Sequence, residues 1–398
     1  MPEHGRRLDA AGGALTNRGG GRGRGLALAV AIAASVALVL AAPAIGSARS
    51  ALRAAFPGTF SRLIEGGLAL VALAAIVAAL ARIRTQRPLR YGALIVALGL
   101  AWAYSAATGS ADPAIRAVER VHFVEFGLIA WLFLRVWRHR PDGSSLVAPA
   151  LAAFLTGVGD EAFQWFLPAR VGELADVGLN AVAIGCGLLA GAAITPPANA
   201  GGRWSAASVQ LVARLLALSA VVLAAFIHLV HLGHRLDEPG IGAFDTRYTA
   251  TELDTLARSR AQAWRQDPPL VRPPRFSRED QYMTEGLQHV QARNLAWDRG
   301  DAVTAWRENQ ILERFFVPVL DTASYVARAG HRWPGPQRSE AERRAAGSDP
   351  RAFISAAFPY PIYPWSPILV WGIALAAALG LWLAGDRAAA ATPRPAVD

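Results

Sequence analysis

The chain has 398 residues, 53% of them hydrophobic and only 18% charged, a balance outside that of soluble domains and laid down in apolar blocks, so a polytopic membrane protein is expected. The formal net charge of +10 and the pI near 10.7 come from arginines spread along the chain. No basic surface with interleaved aromatics forms, which excludes nucleic acid as a partner.

Residues 1–25 are rich in Gly and Arg without an apolar period and are expected to be a disordered basic cytoplasmic tail. With about 20 apolar residues needed to cross a bilayer, spans are predicted over 26–46, 64–83, 91–107, 121–137, 145–166, 174–195, 209–232 and 367–385. The fold class is therefore all-α, a polytopic helical bundle of about eight transmembrane helices. The first span, followed by the small-residue run Ala44 to Ala48, also resembles a signal peptide, but an uncleaved helix fits better.

Arginines set the orientation, because short cytoplasmic loops collect positive charge. Arg82, Arg84, Arg87 and Arg90, then Arg135, Arg138 and Arg140, fall on the side of the N-terminal tail, and the opposite short loops are poorer in arginine. The expected topology is a bacterial inner-membrane protein with both termini in the cytoplasm. Residues 26–232 form a seven-helix membrane domain, 233–366 an extracytoplasmic domain, 367–385 the final helix and 386–398 a cytoplasmic tail.

The extracytoplasmic domain reads as mainly helical. Between Arg278 and Val317 the positions Met283, Leu287, Val290, Ala302, Ala305, Trp306, Leu312 and Phe315 recur at three- and four-residue intervals, which predicts two amphipathic helices broken near Asp298 to Asp301. Pro268, Pro269, Pro273 and Pro274 mark an extended linker before them. Phe358 to Trp365 alternates aromatics with prolines and is expected at the headgroup level ahead of the last span.

Two absences narrow the chemistry. The chain has no lysine, which removes a phosphate-loop lysine, a Schiff base and a lysine general base. The single cysteine, Cys186, permits no internal disulfide and sits inside a span as a small packing residue. His228, His231 and His234 follow one another at three-residue spacing, with Asp237 and Glu238 beyond. Such spacing is no established zinc signature, so neither a metal nor a cofactor is expected.

The dense feature is a polar string, Asp160, Glu161, Gln164, Arg170, Asp176 and Asn180, set where the bilayer tolerates few such groups. Asp160 and Gln164 are four apart on one helix, as are Asp176 and Asn180 on the next, and Pro168 to Gly172 make a turn between them. Two antiparallel helices would then face their polar sides to each other near the outer surface, with Arg170 at the apex able to grip a carboxylate bidentately. His122 and Glu125, one turn apart at the start of the fourth span, face the same side. Interhelical hydrogen bonding alone would need fewer polar residues.

This pattern of His122 and Glu125, then Asp160, Glu161, Gln164, Pro168, Arg170, Asp176, Asn180 and Gly185, resembles the VanZ-like membrane proteins over residues 64–195. The resemblance implies a bacterial multi-helix envelope protein, in a family whose founding member is linked to low-level teicoplanin resistance. It does not imply a reaction. The seventh and eighth spans and the extracytoplasmic domain are additions to the family pattern.

Three functions fit. The favoured one binds or modifies an envelope lipid or cell-wall component, an envelope glycolipid or lipid-linked precursor, with Arg170 and His122 on an anionic group and the carboxylates on sugar hydroxyls. A proton-coupled transporter is the second, although no second acidic layer appears toward the cytoplasm. The third is a membrane-embedded hydrolase or transferase using Glu125, Asp160 or Glu161 as acid or base, for which no nucleophile motif is present.

Overall fold

The computed structural model describes residues 4–167, 170–267, 281–323, 330–358 and 360–391. Pro168 and the linker prolines Pro268, Pro269, Pro273 and Pro274 lie outside them. The described residues are mostly helical, and the chain forms two compact units. One comprises Met1–Asp160, Leu174–Leu223 and Ile373–Asp398, the other Glu161–Glu173 and Ala224–Gly372.

The first unit holds the apolar helices. The first helix, α1 (His4–Ala55), includes part of the stretch expected as a disordered tail, and its apolar portion runs from Gly23 to Ala55. Then come α2 (Phe60–Arg82), α3 (Arg87–Thr108), the short α4 (Pro113–Glu119) and α5 (Val121–Trp137). These are followed by α6 (Ser144–Gln164), α7 (Leu174–Ile194) and α8 (Ala206–Val230). Among the described residues seven helices are long and apolar enough to cross a membrane, where the sequence pointed to about eight. The difference is α5, which has 17 residues and at 1.5 Å per residue reaches about 26 Å, short of the ~30 Å hydrocarbon core.

What α5 lacks in length it makes up in burial. Phe126, Ile129, Ala130, Phe133 and Leu134 of α5 pack with Ala183, Ile184 and Leu188 of α7 as the core of this unit, joined by Ala31 and Ala153. Gly127 and Gly187 sit at the crossing of the two helices, where the backbones come too close for a Cβ on Gly187. By contrast Leu70, Leu73, Ile95 and Trp102 are exposed, as lipid-facing residues should be. Arg90 is buried: its Nε and Nη2 donate to the carbonyls of Ala193 (2.6 Å) and Ile194 (2.9 Å) at the end of α7. This is a cation satisfying orphan carbonyls at a helix C-terminus.

The second unit has a small hairpin that the sequence reading missed. Strand β1 (His234–Glu238) pairs antiparallel with β2 (Gly242–Thr246), and the turn uses Gly240 and Gly242 at positive φ. Next come α9 (Ala250–Gln266), opened by a capping box between Thr249 and Glu252, and then α10 (Gln281–Asp298) and α11 (Ala302–Phe315). The break between α10 and α11 falls where it was expected, with Asp301 accepting from the Thr304 amide to cap α11. Short helices α12 (Val317–Asp321) and α13 (Gly335–Ala345) precede α14 (Pro367–Ala390). Phe244, Leu253, Tyr282, Ile311, Leu312, Phe315, Phe316 and Val319 form the core of this unit.

Candidate functional site

The eight expected site residues fall in both units. In the membrane unit, α5 carries His122 and Glu125, α6 carries Asp160 and α7 carries Asp176 and Asn180. His122 stacks on Phe126 one turn later, with ring centroids 5.9 Å apart and planes 14° apart. Its Nδ1 lies 2.8 Å from Asn180 Oδ1. With that oxygen as acceptor, His122 carries its proton on Nδ1, and a neutral ring keeps its lone pair on Nε2. Asn180 and Asp160 are buried, while Glu125 and Asp176 are half-buried. Gly157 makes room for this arrangement, since a Cβ there would meet the Asn180 Cβ at 3.2 Å. Asp176 stands in the first turn of α7, where the helix dipole favours a carboxylate.

In the second unit Glu161 is fully buried. Its carboxylate accepts from Gln164 Nε2 at 3.3 Å and from the Glu173 amide at 3.2 Å, which folds the connecting segment back over the end of α6. Gly172 lies against the Glu161 carbonyl, leaving no space for a side chain. Arg170 is half-buried, and its Nε has no hydrogen-bond partner among the described residues. Trp165, also buried, lies edge-on to Tyr360 at 5.4 Å and carries the Arg247 guanidinium 5.0 Å over its ring.

A second polar cluster in this unit escaped the sequence reading. Glu285, His289 and Arg293 recur every four residues on α10, and all three are buried. Such spacing looks like the wet face of an amphipathic helix, and the apolar period at Met283, Leu287 and Val290 predicts the inner one. Instead each polar group has partners inside. Glu285 accepts from Thr246 Oγ1 at 2.6 Å and from the Arg247 amide at 3.2 Å. His289 Nδ1 lies 2.6 Å from Glu308 Oε2, and the other Glu308 oxygen takes the Ser355 hydroxyl at 2.5 Å. Arg293 donates to Asn309 Oδ1 at 3.0 Å and to the His331 carbonyl at 2.7 Å.

Burial dominates the titration of Glu285 and raises it to about 7, against the opposing pull of Thr246, Arg247 and His289. A carboxyl raised in the folded state holds its proton where the unfolded chain has lost it. Stability is then full below about pH 4.5 and falls as pH rises to about 7, by about 3 kcal/mol in all. Glu285→Gln is expected to flatten this slope, so that melting temperatures of parent and variant diverge between those limits. Parallel curves would show that Glu285 ionises freely.

The three histidines do not assemble. His231 is buried, with Nδ1 on the Pro361 carbonyl at 2.8 Å, and burial lowers its pKa. His228 faces Trp371, His234 opens β1, and no group of three possible metal ligands occurs among the described residues. The aromatic-proline stretch packs within the second unit. Tyr360 is buried with its hydroxyl on Gln281 Oε1 at 3.2 Å, and the Tyr363 backbone pairs with His231 and Gly233.

No curated protein and no solved structure matches the chain. The VanZ/LLP1 family model matches residues 82–195, from the end of α2 to the end of α7, a shorter stretch than the resemblance suggested. All eight expected site residues lie within it, whereas the α10 cluster lies outside. The chain thus carries a VanZ/LLP1 domain at residues 82–195 within a multi-pass membrane protein, seven of whose described helices are long and apolar enough to cross a bilayer.

Proposed function

We propose that this protein works in the bacterial cell envelope by holding an envelope lipid or lipid-linked cell-wall component through the polar residues of its VanZ segment. The observation that supports this reading is the burial of Asp160, Glu161, Gln164 and Asn180 in helices long and apolar enough to cross a bilayer. Burying polar groups, as Asp160 and Asn180 are in one unit and Glu161 and Gln164 in the other, is costly in lipid and marks functional residues more often than scaffold. Within the second unit, Arg170 supplies the fork for an anionic phosphate, and Glu161 and Gln164 supply acceptors for hydroxyls. In this reading the N- and C-termini are cytoplasmic, residues 233–366 lie outside the inner membrane, and teicoplanin susceptibility is the natural phenotype.

Lipid and small-molecule mass spectrometry on the purified full chain tests the proposal. A phosphate-bearing isoprenoid or glycolipid is expected with the parent, reduced about tenfold or more in Arg170→Ala, which corresponds to at least ~1.4 kcal/mol of binding. In cells, Asp160→Asn and Glu161→Gln are expected to abolish the envelope phenotype at unchanged protein level. Equal lipid content in parent and variant, together with parental teicoplanin susceptibility in all three, would reduce the string to scaffolding. Proton-driven uptake in proteoliposomes would instead make it a transport path.

A further inference from the structure

Glu285 is an acid with no exposed surface and no part in the VanZ segment. Its carboxylate is faced from the end of β2 by the Thr246 hydroxyl and the Arg247 amide, and from its own helix by His289 one turn on. His289 is itself tied to Glu308 of α11, and Glu308 to Ser355. On the remaining side stands Tyr360, whose phenol burial holds well above its usual titration range. The charged groups that face Glu285 are therefore Arg247 and His289, with Glu308 behind the latter.

Arg247 is held through both its backbone and its side chain, Tyr360 being one partner of the latter. Its backbone amide touches Glu285, while its guanidinium donates to Val230 O at 2.5 Å and Leu229 O at 3.1 Å, the last carbonyls of α8, and covers Trp165. One residue thus joins a buried acid, a helix end and the segment Glu161–Glu173. A guanidinium shared between neutral carbonyls and an aromatic face is held by dipoles and a quadrupole. A bare carboxylate that interacts with the same guanidinium, in a site closed off from solvent, attracts it more strongly.

We propose that Glu285 and Arg247 form a proton-operated latch: with Glu285 protonated, Arg247 caps α8 and clamps Trp165, and ionisation of Glu285 draws the guanidinium away and loosens both. The acid's titration near neutrality sets the latch to answer pH changes around physiological values. The latch depends only on contacts within the second unit and needs no particular ligand, so it stands or falls apart from the lipid reading.

Hydrogen–deuterium exchange on the full chain in nanodiscs, corrected for intrinsic pH dependence, tests it. Peptides covering Phe226 to Gly233 and Ala162 to Phe166 are expected to be protected near pH 5.5 and to exchange about tenfold faster near pH 8.5. Glu285→Gln should stay protected at both values and Arg247→Gln at neither. Should Glu285→Gln fail to fold, Thr246→Val serves instead, because loss of the hydroxyl that favours the carboxylate moves the midpoint to higher pH. Protection that is independent of pH in the parent, a pH step that persists in Glu285→Gln, or a midpoint unmoved in Thr246→Val overturns the latch.

Discussion

Gly187→Ala is expected to destabilise the membrane unit by about 3 kcal/mol, whereas Gly127→Ala at the same crossing stays within ~1 kcal/mol of the parent. The asymmetry follows from where each new methyl would land. On Gly187 a Cβ falls among the backbone atoms of Gly127, with its carbonyl carbon at 2.8 Å. Backbone in a buried helix cannot step aside as a flexible side chain can. On Gly127 the nearest atom is the Gly187 Cα at 3.5 Å, an ordinary contact. Small residues let transmembrane helices approach closely enough for dispersion to hold them, and here the close approach is concentrated on one glycine of the pair. Melting of the detergent-purified variants measures the difference, with Gly187→Ala lower by roughly 6–12 °C. Equal melting of the two would show that α5 and α7 can separate at little cost.

Arg293→Leu is expected to have the largest effect in the second unit, about 3–5 kcal/mol, because it removes one side of a buried charged network. The guanidinium donates to Asn309 Oδ1, the His331 carbonyl and Asn294 Oδ1 and lies 4.8 Å over the Trp333 ring. Leucine fills part of the volume but leaves those acceptors dry and unsatisfied, and each costs ~1–3 kcal/mol. Arg293→Lys recovers little, since a point charge cannot span three separate acceptors and a ring face. Near-UV circular dichroism during thermal unfolding reads the outcome, with a shift of roughly 10 °C for Arg293→Leu. A variant that melts with the parent sinks the view that this polar core specifies the fold.

Helix positions were legible wherever apolar periodicity or turn chemistry spoke. The boundary between α10 and α11 was visible because Gly300 and Asp301 supply a left-handed turn and a cap. Helix facing was not legible on α10. A buried Glu285 or His289 is chemically the same letter as a solvated one, and only the partners Thr246 and Glu308, distant in sequence, keep it inside. The hairpin was missed for a related reason: His234 to Glu238 is too polar to signal a half-buried strand. That Arg90 also caps α7 was not legible, because its acceptors lie more than 100 residues away. Among the site residues, the His122–Asn180 pair shows how the polar face of the fourth span is engaged, while sequence spacing could give only its direction.

Trp165 lies between Arg247 and Tyr360, and both arrive late. At about 5–20 residues per second of translation, Tyr360 emerges roughly 10–40 s after Trp165. Once α7 has followed, the ring of Trp165 and the turn around Glu161 wait through the rest of that interval for packing that has not yet been synthesised. A ribosome stalled before Tyr360 would therefore release an inserted VanZ segment with an unfinished end, a natural mark for membrane proteases. Its completion, rather than insertion, is the step at which quality control can judge the whole chain.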